Sequence, residues 1–185
     1  MLLIAAGLAA CVHIETASET PEQLSESSAL RGKQFRVDWI DRFTGLSSRE
    51  KAESLVTLID SLGGQFLRYG RQVVNEWRDG NDARGQYLPD SEMRQMIEAG
   101  NKSQWPLFTA YEEVMEYSLA EIRRIGAVDE ATADTLKEHV DLYYRVFSDV
   151  MYPNGTVDDY QYRLLQDEGD LEDHSRVVRE EISRY

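Results

Sequence analysis

Ser47-Ser48-Arg49-Glu50-Lys51-Ala52-Glu53-Ser54-Leu55-Val56-Thr57-Leu58-Ile59-Asp60-Ser61-Leu62-Gly63-Gly64-Gln65-Phe66-Leu67-Arg68-Tyr69-Gly70-Arg71-Gln72-Val73-Val74-Asn75-Glu76-Trp77 decides the fold class of this chain. Ser47 and Glu50 have the spacing of a capping box, in which each satisfies an unpaired backbone N–H of the other's end. Beyond them Leu55, Ile59, Leu62, Phe66, Tyr69, Val73 and Trp77 recur every three or four residues, one apolar stripe along a helix of about thirty residues. Gly63-Gly64 falls inside that stripe, where each glycine costs about 1 kcal/mol against alanine. A close neighbouring helix or a kink would account for the pair.

Similar stripes lie on both sides. Phe35, Trp39, Ile40 and Phe43 have helical spacing, with Gly45 as a stop, although Phe35, Val37 and Trp39 also alternate as in a short strand. Ser91 can cap a short helix carrying Met93, Met96 and Ile97. Ser103 and Pro106 open a helix striped by Phe108, Tyr111, Met115, Leu119, Ile122 and Ile125, closed by Gly126. Asp129 starts another, striped by Leu136, Val140, Tyr143, Phe147 and Val150 and stopped at Pro153-Asn154-Gly155. Thr156 and Asp159 form a second box ahead of Tyr160, Leu164 and Leu165, with Gly169 expected to interrupt before Leu171, Val178 and Ile182. Long amphipathic helices on short connections place antiparallel neighbours together, so the expected fold is all-α, an antiparallel up-and-down bundle of four to six helices.

The 185 residues carry 34 acids against 20 bases, a formal charge of -14. Such a surface repels phosphate backbones, which argues against nucleic acid as a partner, and gains nothing from anionic lipid headgroups.

The first residues, Met1-Leu2-Leu3-Ile4-Ala5-Ala6-Gly7-Leu8-Ala9-Ala10, are apolar or small and end at Cys11, the single cysteine. The run is short of the roughly 20 residues that a membrane span needs, and fits the apolar region of an export signal. Leu8-Ala9-Ala10-Cys11 resembles a bacterial lipobox. That resemblance implies a signal peptide over residues 1–10, cleavage before Cys11 and lipid on its sulfur. With Val12 rather than aspartate next, it also implies an envelope protein on the outer membrane facing the periplasm. No Lys or Arg precedes the run, a departure that leaves two readings: a start further upstream, or an apolar segment packed on the domain with Cys11 a buried thiol. Residues 12–30, rich in Ser, Thr and Glu, read as a polar tether, and residues 31–185 as the acidic helical domain.

No reaction is legible. A di-iron bundle needs Glu-x-x-His on two helices, and none of His13, His139 and His174 has it. Glu138 and His139 are adjacent and should point apart, and His174 reads as a surface ion pair with Asp170. The acidic loop from Asp79 to Asp90 matches a calcium loop poorly, with Arg84 where the turn glycine belongs and Asp90 where glutamate does. No P-loop, dinucleotide or Gly-x-Ser-x-Gly pattern occurs, and nothing in the spacing points serines to histidines. No metal or other cofactor is therefore expected. Five acids among residues 167–173 read as a solvated run.

The expectation is a non-catalytic interaction or accessory subunit of an envelope complex, held to the membrane by lipid on Cys11 and docking a protein partner through a face of tyrosine and acid. Trp77, Trp105, Tyr117 and Tyr144 are the candidate residues for a ligand or partner surface, tyrosine being enriched at interfaces. The alternative is a small-molecule-binding bundle, with a ligand held in an aromatic-lined pocket.

Overall fold

The computed structural model describes residues 21–79 and 89–185. Cys11, the signal-like run and most of the acidic 79–90 loop lie outside the described residues. Six helices follow in order: α1 (Pro21–Thr44), α2 (Ser48–Asp79), α3 (Asp90–Lys102), α4 (Trp105–Ile125), α5 (Glu130–Met151) and α6 (Val157–Ile182). The described residues contain no strand, so the alternation at Phe35, Val37 and Trp39 is not one.

The helix ends follow from local chemistry. Glu50 accepts from the Ser47 N–H at 2.9 Å. Thr156 and Asp159 cap each other across both arms of their box, and Asp129 accepts from the Thr132 N–H. Gly126, at φ 61°, ends α4 in the left-handed conformation. The α1–α2 corner has a lock that periodicity does not announce. Lys51, 5% exposed, donates to the carbonyls of Phe43, Thr44 and Leu46 at 2.6, 3.0 and 2.7 Å. One ammonium thus satisfies the carbonyls left over at the end of α1.

α2 is the central helix. Leu55, Val56, Leu58, Ile59 and Leu62 are all buried, as are Phe66 and Trp77 further along, because α4, α5 and α6 pack around it. α6 runs antiparallel to it: Ser175 meets Asp60, Leu171 meets Gly63, Leu164 meets Gly70, and Tyr160 meets Trp77. A Cβ on Gly63 would sit 2.5 Å from Leu171 Cδ2, and one on Gly70 2.8 Å from Leu164 Cδ1. Close approach, not a kink, is the reason for Gly63; α2 continues through it. Phe66 meets Phe108, Tyr143 and Phe147 edge to face at the centre, lying 5.2 Å from Phe108 and 5.3 Å from Phe147.

Three boundaries differ from expectation. α1 begins at Pro21, so residues 21–30 are helix rather than tether, and the domain extends ten residues further toward the N terminus than the composition shift at Arg31 suggests. The reason is small-residue packing: Ser28 is fully buried and accepts from the Leu107 N–H. A Cβ on Gly32 would meet the Pro106 carbonyl at 2.9 Å. α6 runs unbroken through Gly169, whose missing side chain faces open space. α3 is entered from Pro89 rather than capped by Ser91.

The two central glycines generate a paired test. Gly64→Ala, with only Arg68 Nη1 at 3.7 Å, should raise stability by about 0.5–1 kcal/mol through helix propensity. Gly63→Ala has the same propensity gain but meets Leu171, and should be the less stable of the pair by at least about 1 kcal/mol. Phe66→Ala or Met115→Ala should cost about 2–5 kcal/mol. Urea unfolding of the four variants checks all these values.

Candidate functional site

α4 and α5 meet along an open groove of about 730 Å³. From α4 come Thr109, Glu112, Glu113 and Glu116, one acidic edge at helical spacing. From the α5 side come Tyr144, Phe147, Ser148 and Tyr152, a mostly aromatic wall. Trp105 backs this wall, 5.6 Å from Phe147 and 6.2 Å from Tyr152. Tyr143 and Tyr144, adjacent in sequence, divide as a helix requires: Tyr143 points into the core and Tyr144 stays half-buried at the groove.

Of the candidate residues, Trp105 and Tyr144 come together here. Tyr117 does not; it lies on the α1 side of α4, 6.2 Å from Phe43 and 37% exposed. Trp77 is no surface residue. It is 1% exposed, stacks near Tyr160 and donates its indole N–H to Asp90 at 2.8 Å. Its place in the α2 stripe buries it, and its one polar atom is satisfied by the start of α3.

The groove's electrostatics are one-sided. Arg36 of α1 neutralises Glu113 at 2.5 Å. Glu112 forms no hydrogen bond or ion pair with another side chain among the described residues; burial and the neighbouring Glu116 push its carboxyl above the usual range. Tyr144 donates to Glu116 at 3.3 Å. Burial first, then Glu116 and Glu112, raises its phenol. The Tyr143 hydroxyl is buried without a hydrogen-bond partner, within electrostatic reach of Glu112 and Tyr144.

A second polar cluster, which sequence spacing did not reveal, joins α2, α5 and α6. Asp60 accepts from Ser175 Oγ at 2.6 Å and Arg179 Nη2 at 2.7 Å, and His139 Nε2 lies 3.0 Å from its other oxygen. Burial opposes the Asp60 charge, yet the hydrogen bonds from His139, Ser175 and Arg179 outweigh it and hold the carboxyl below its ordinary value. His139 is fully buried, and its Nδ1 lies 3.3 Å from His174 Nδ1. With Nε2–H given to Asp60, His139 Nδ1 accepts the His174 Nδ1–H. Glu138 lies 3.6 Å from His174 Nε2, so Glu138 and His139 both reach His174, and His174 is not paired with Asp170. The serine and histidines flank the carboxylate on opposite sides. Ser175 gives its proton to Asp60, which is not the position of a nucleophile activated by histidine.

The acidic run at residues 167–173 is also more than a solvated face. Arg145 holds Asp167 at 3.0 Å and also pairs with Asp170, while Arg71 pairs with Glu168 at 2.7 Å. Asp167 is 3% exposed. Burial and then Asp149 push its carboxyl up to about 6 against the pull of Arg145. Among the described residues, no three His, Cys, Asp or Glu side chains are grouped to hold a metal ion. No family model, curated protein or solved structure matches the chain.

Opposite pH dependences follow for the two carboxylates. A folded Asp167 that titrates near 6 binds its proton more tightly than the unfolded chain, near 4. Its contribution is therefore complete below pH 4 and lost as pH rises through 6, up to about 3 kcal/mol. Asp167→Asn should flatten the stability profile between pH 4 and 7 and raise the midpoint at pH 7, Arg145 keeping Asp170. Asp60, held low, contributes above its ordinary value and loses that contribution as pH falls below about 4. Asp60→Ala should cost on the order of 3 kcal/mol at pH 7, since it strands buried donors. Thermal unfolding across pH 3–8 reads both.

Proposed function

We propose that the protein is a lipid-anchored, non-catalytic interaction subunit of a bacterial envelope complex. The observation that carries the interaction half is the α4–α5 groove, where Glu112 and Glu116, met by no basic side chain among the described residues, stand beside half-buried Tyr144 and exposed Tyr152. Exposed apolar surface rimmed by polar residues marks interaction sites, and tyrosine is enriched there. The anchor half rests on Leu8-Ala9-Ala10-Cys11 and its lipobox pattern. No helix among the described residues is long and apolar enough to cross a membrane; in this reading the attachment is lipid, at about 0.8 kcal/mol per buried methylene and with more than one acyl chain. The small-molecule reading fits less well: drug-sized ligands sit in sites that bury most of their surface, this groove is open, and Trp77 is sealed away from it.

Two measurements test the halves separately. Cys11→Ser should leave the helical domain folded and move the protein from the membrane to the soluble fraction. Intact mass of the mature wild type should show loss of residues 1–10 and a gain of lipid. A mature protein retaining Met1 and a free thiol overturns the anchor. Crosslinking in the native envelope followed by purification should recover a stoichiometric protein partner, and its absence overturns the interaction role.

A further inference from the structure

We propose that the α4–α5 groove is a receptor for an arginine side chain presented by the partner protein. The inference rests on the interaction reading above and adds the chemistry of what docks.

The molecule's other seams show what this one lacks. Across α2 and α6, Arg71 faces Glu168 and Arg78 faces Asp158. Arg179 crosses to Asp60. Across α5 and α6, Arg145 faces Asp167 and Asp170. Across α1 and α4, Arg36 faces Glu113, and near the α4–α5 turn Arg123 faces Asp134. In each case acid on one helix meets arginine on the next. In the groove Glu112 and Glu116 stand one turn apart on α4 and meet no arginine among the described residues. No lysine or arginine is among its lining residues.

Three features select arginine over a generic cation. Half-buried Tyr144 and exposed Tyr152 offer aromatic surface beside the carboxylates, and a planar guanidinium stacks on aromatics while donating to carboxylates in its own plane. A lysine ammonium, a compact and strongly hydrated charge, gains less from such a wall. Tyr144 donates to Glu116 at 3.3 Å, which holds its ring beside the carboxylates where a guanidinium would stack. The groove is also far larger than one guanidinium, and its openness suits a side chain carried on a polypeptide that covers the rest of the aromatic wall. Seating a cation between Glu112 and Glu116 relieves the repulsion that, with burial, raises Glu112.

The test uses the full mature chain and a fluorescein-labelled peptide of alternating arginine and glycine, read by anisotropy. Saturable binding is expected. The Glu112→Gln/Glu116→Gln pair should weaken it about tenfold or more, the loss of charge-assisted hydrogen bonds. Tyr144→Ala should weaken it several-fold, as should lysine in place of arginine in the peptide. Glu172→Gln/Glu180→Gln, the same charge change on exposed α6, should leave affinity within about twofold. Equal weakening by the two double variants, or equal binding of the lysine peptide, overturns the proposal by reducing it to the field of a -14 chain. Should a groove variant unfold, the wild type decides: on titration with the peptide, NMR shifts should concentrate at Tyr144, Phe147 and Tyr152, and shifts centred elsewhere overturn the site. Crosslinking separates the two readings. A partner recovered equally by wild type and the Glu112→Gln/Glu116→Gln pair refutes the groove and keeps the interaction role. Peptide binding that depends on the groove, with no partner from wild type, does the reverse.

Discussion

The contact on which the bundle turns is the seating of Leu171 and Leu164 of α6 against Gly63 and Gly70 of α2. The two glycines are seven residues apart, as are the two leucines, so the pairs repeat along one antiparallel seam at helical pitch. Without Cβ atoms α2 lets α6 come close enough for Ser175 and Arg179 to reach Asp60, and for Tyr160 to lie 6.0 Å from Trp77 at the far end. A wider separation would leave Asp60 half-buried with only His139, and burial would oppose its charge with two fewer hydrogen bonds against it. The helix-propensity cost of two glycines is thus tied to a polar cluster that the close approach makes affordable.

That cluster gives the bundle specificity as well as adhesion. Apolar stripes alone tolerate helices sliding or rotating past one another, whereas Asp60 finds His139, Ser175 and Arg179 together only in one register of three helices. Lys51 does comparable work at the α1–α2 corner, where its three carbonyl contacts fix the angle at which α1 leaves the core. α1 then lies along α4, parallel to it, through Ser28, Gly32, Arg36 and Trp39, whose indole donates to Ser118 at 2.8 Å.

The long helices were legible because their burial is apolar and periodic: the Leu55–Trp77, Phe108–Ile125 and Leu136–Val150 stripes all lie in α-helices. Capping at Ser47, Asp129 and Thr156 was legible for a related reason, since the interaction is local in sequence. What escaped is burial that leaves no apolar mark. Ser28 and Gly32 bury the first half of α1 by being small, so a polar composition concealed a helix. The Asp60 cluster joins residues up to 119 positions apart, beyond any spacing rule; its one mark in the sequence is an acid placed directly after Leu55-Val56-x-Leu58-Ile59, in a helix apolar on several sides. Trp77 belonged to a stripe, and the stripe, not its residue type, decided its place. For the groove, sequence supplied Trp105 and Tyr144 but not the Glu112–Glu116 edge, because a surface glutamate on α4 looks like any other until the helix opposite is known.

The arrangement of α1 also has a mechanical consequence. Any pull on the chain ahead of Pro21 enters the folded domain at the N-terminal end of α1, which packs chiefly on α4. The first contacts to bear load are the small ones at Ser28 and Gly32, and the last is the Lys51 clamp at the opposite end. A helix held this way yields by peeling, one turn at a time from the pulled end, while the α2–α6 seam carries none of the strain. Tension would therefore strip α1 from α4 well before it reached the core, with Lys51 setting where the peeling stops.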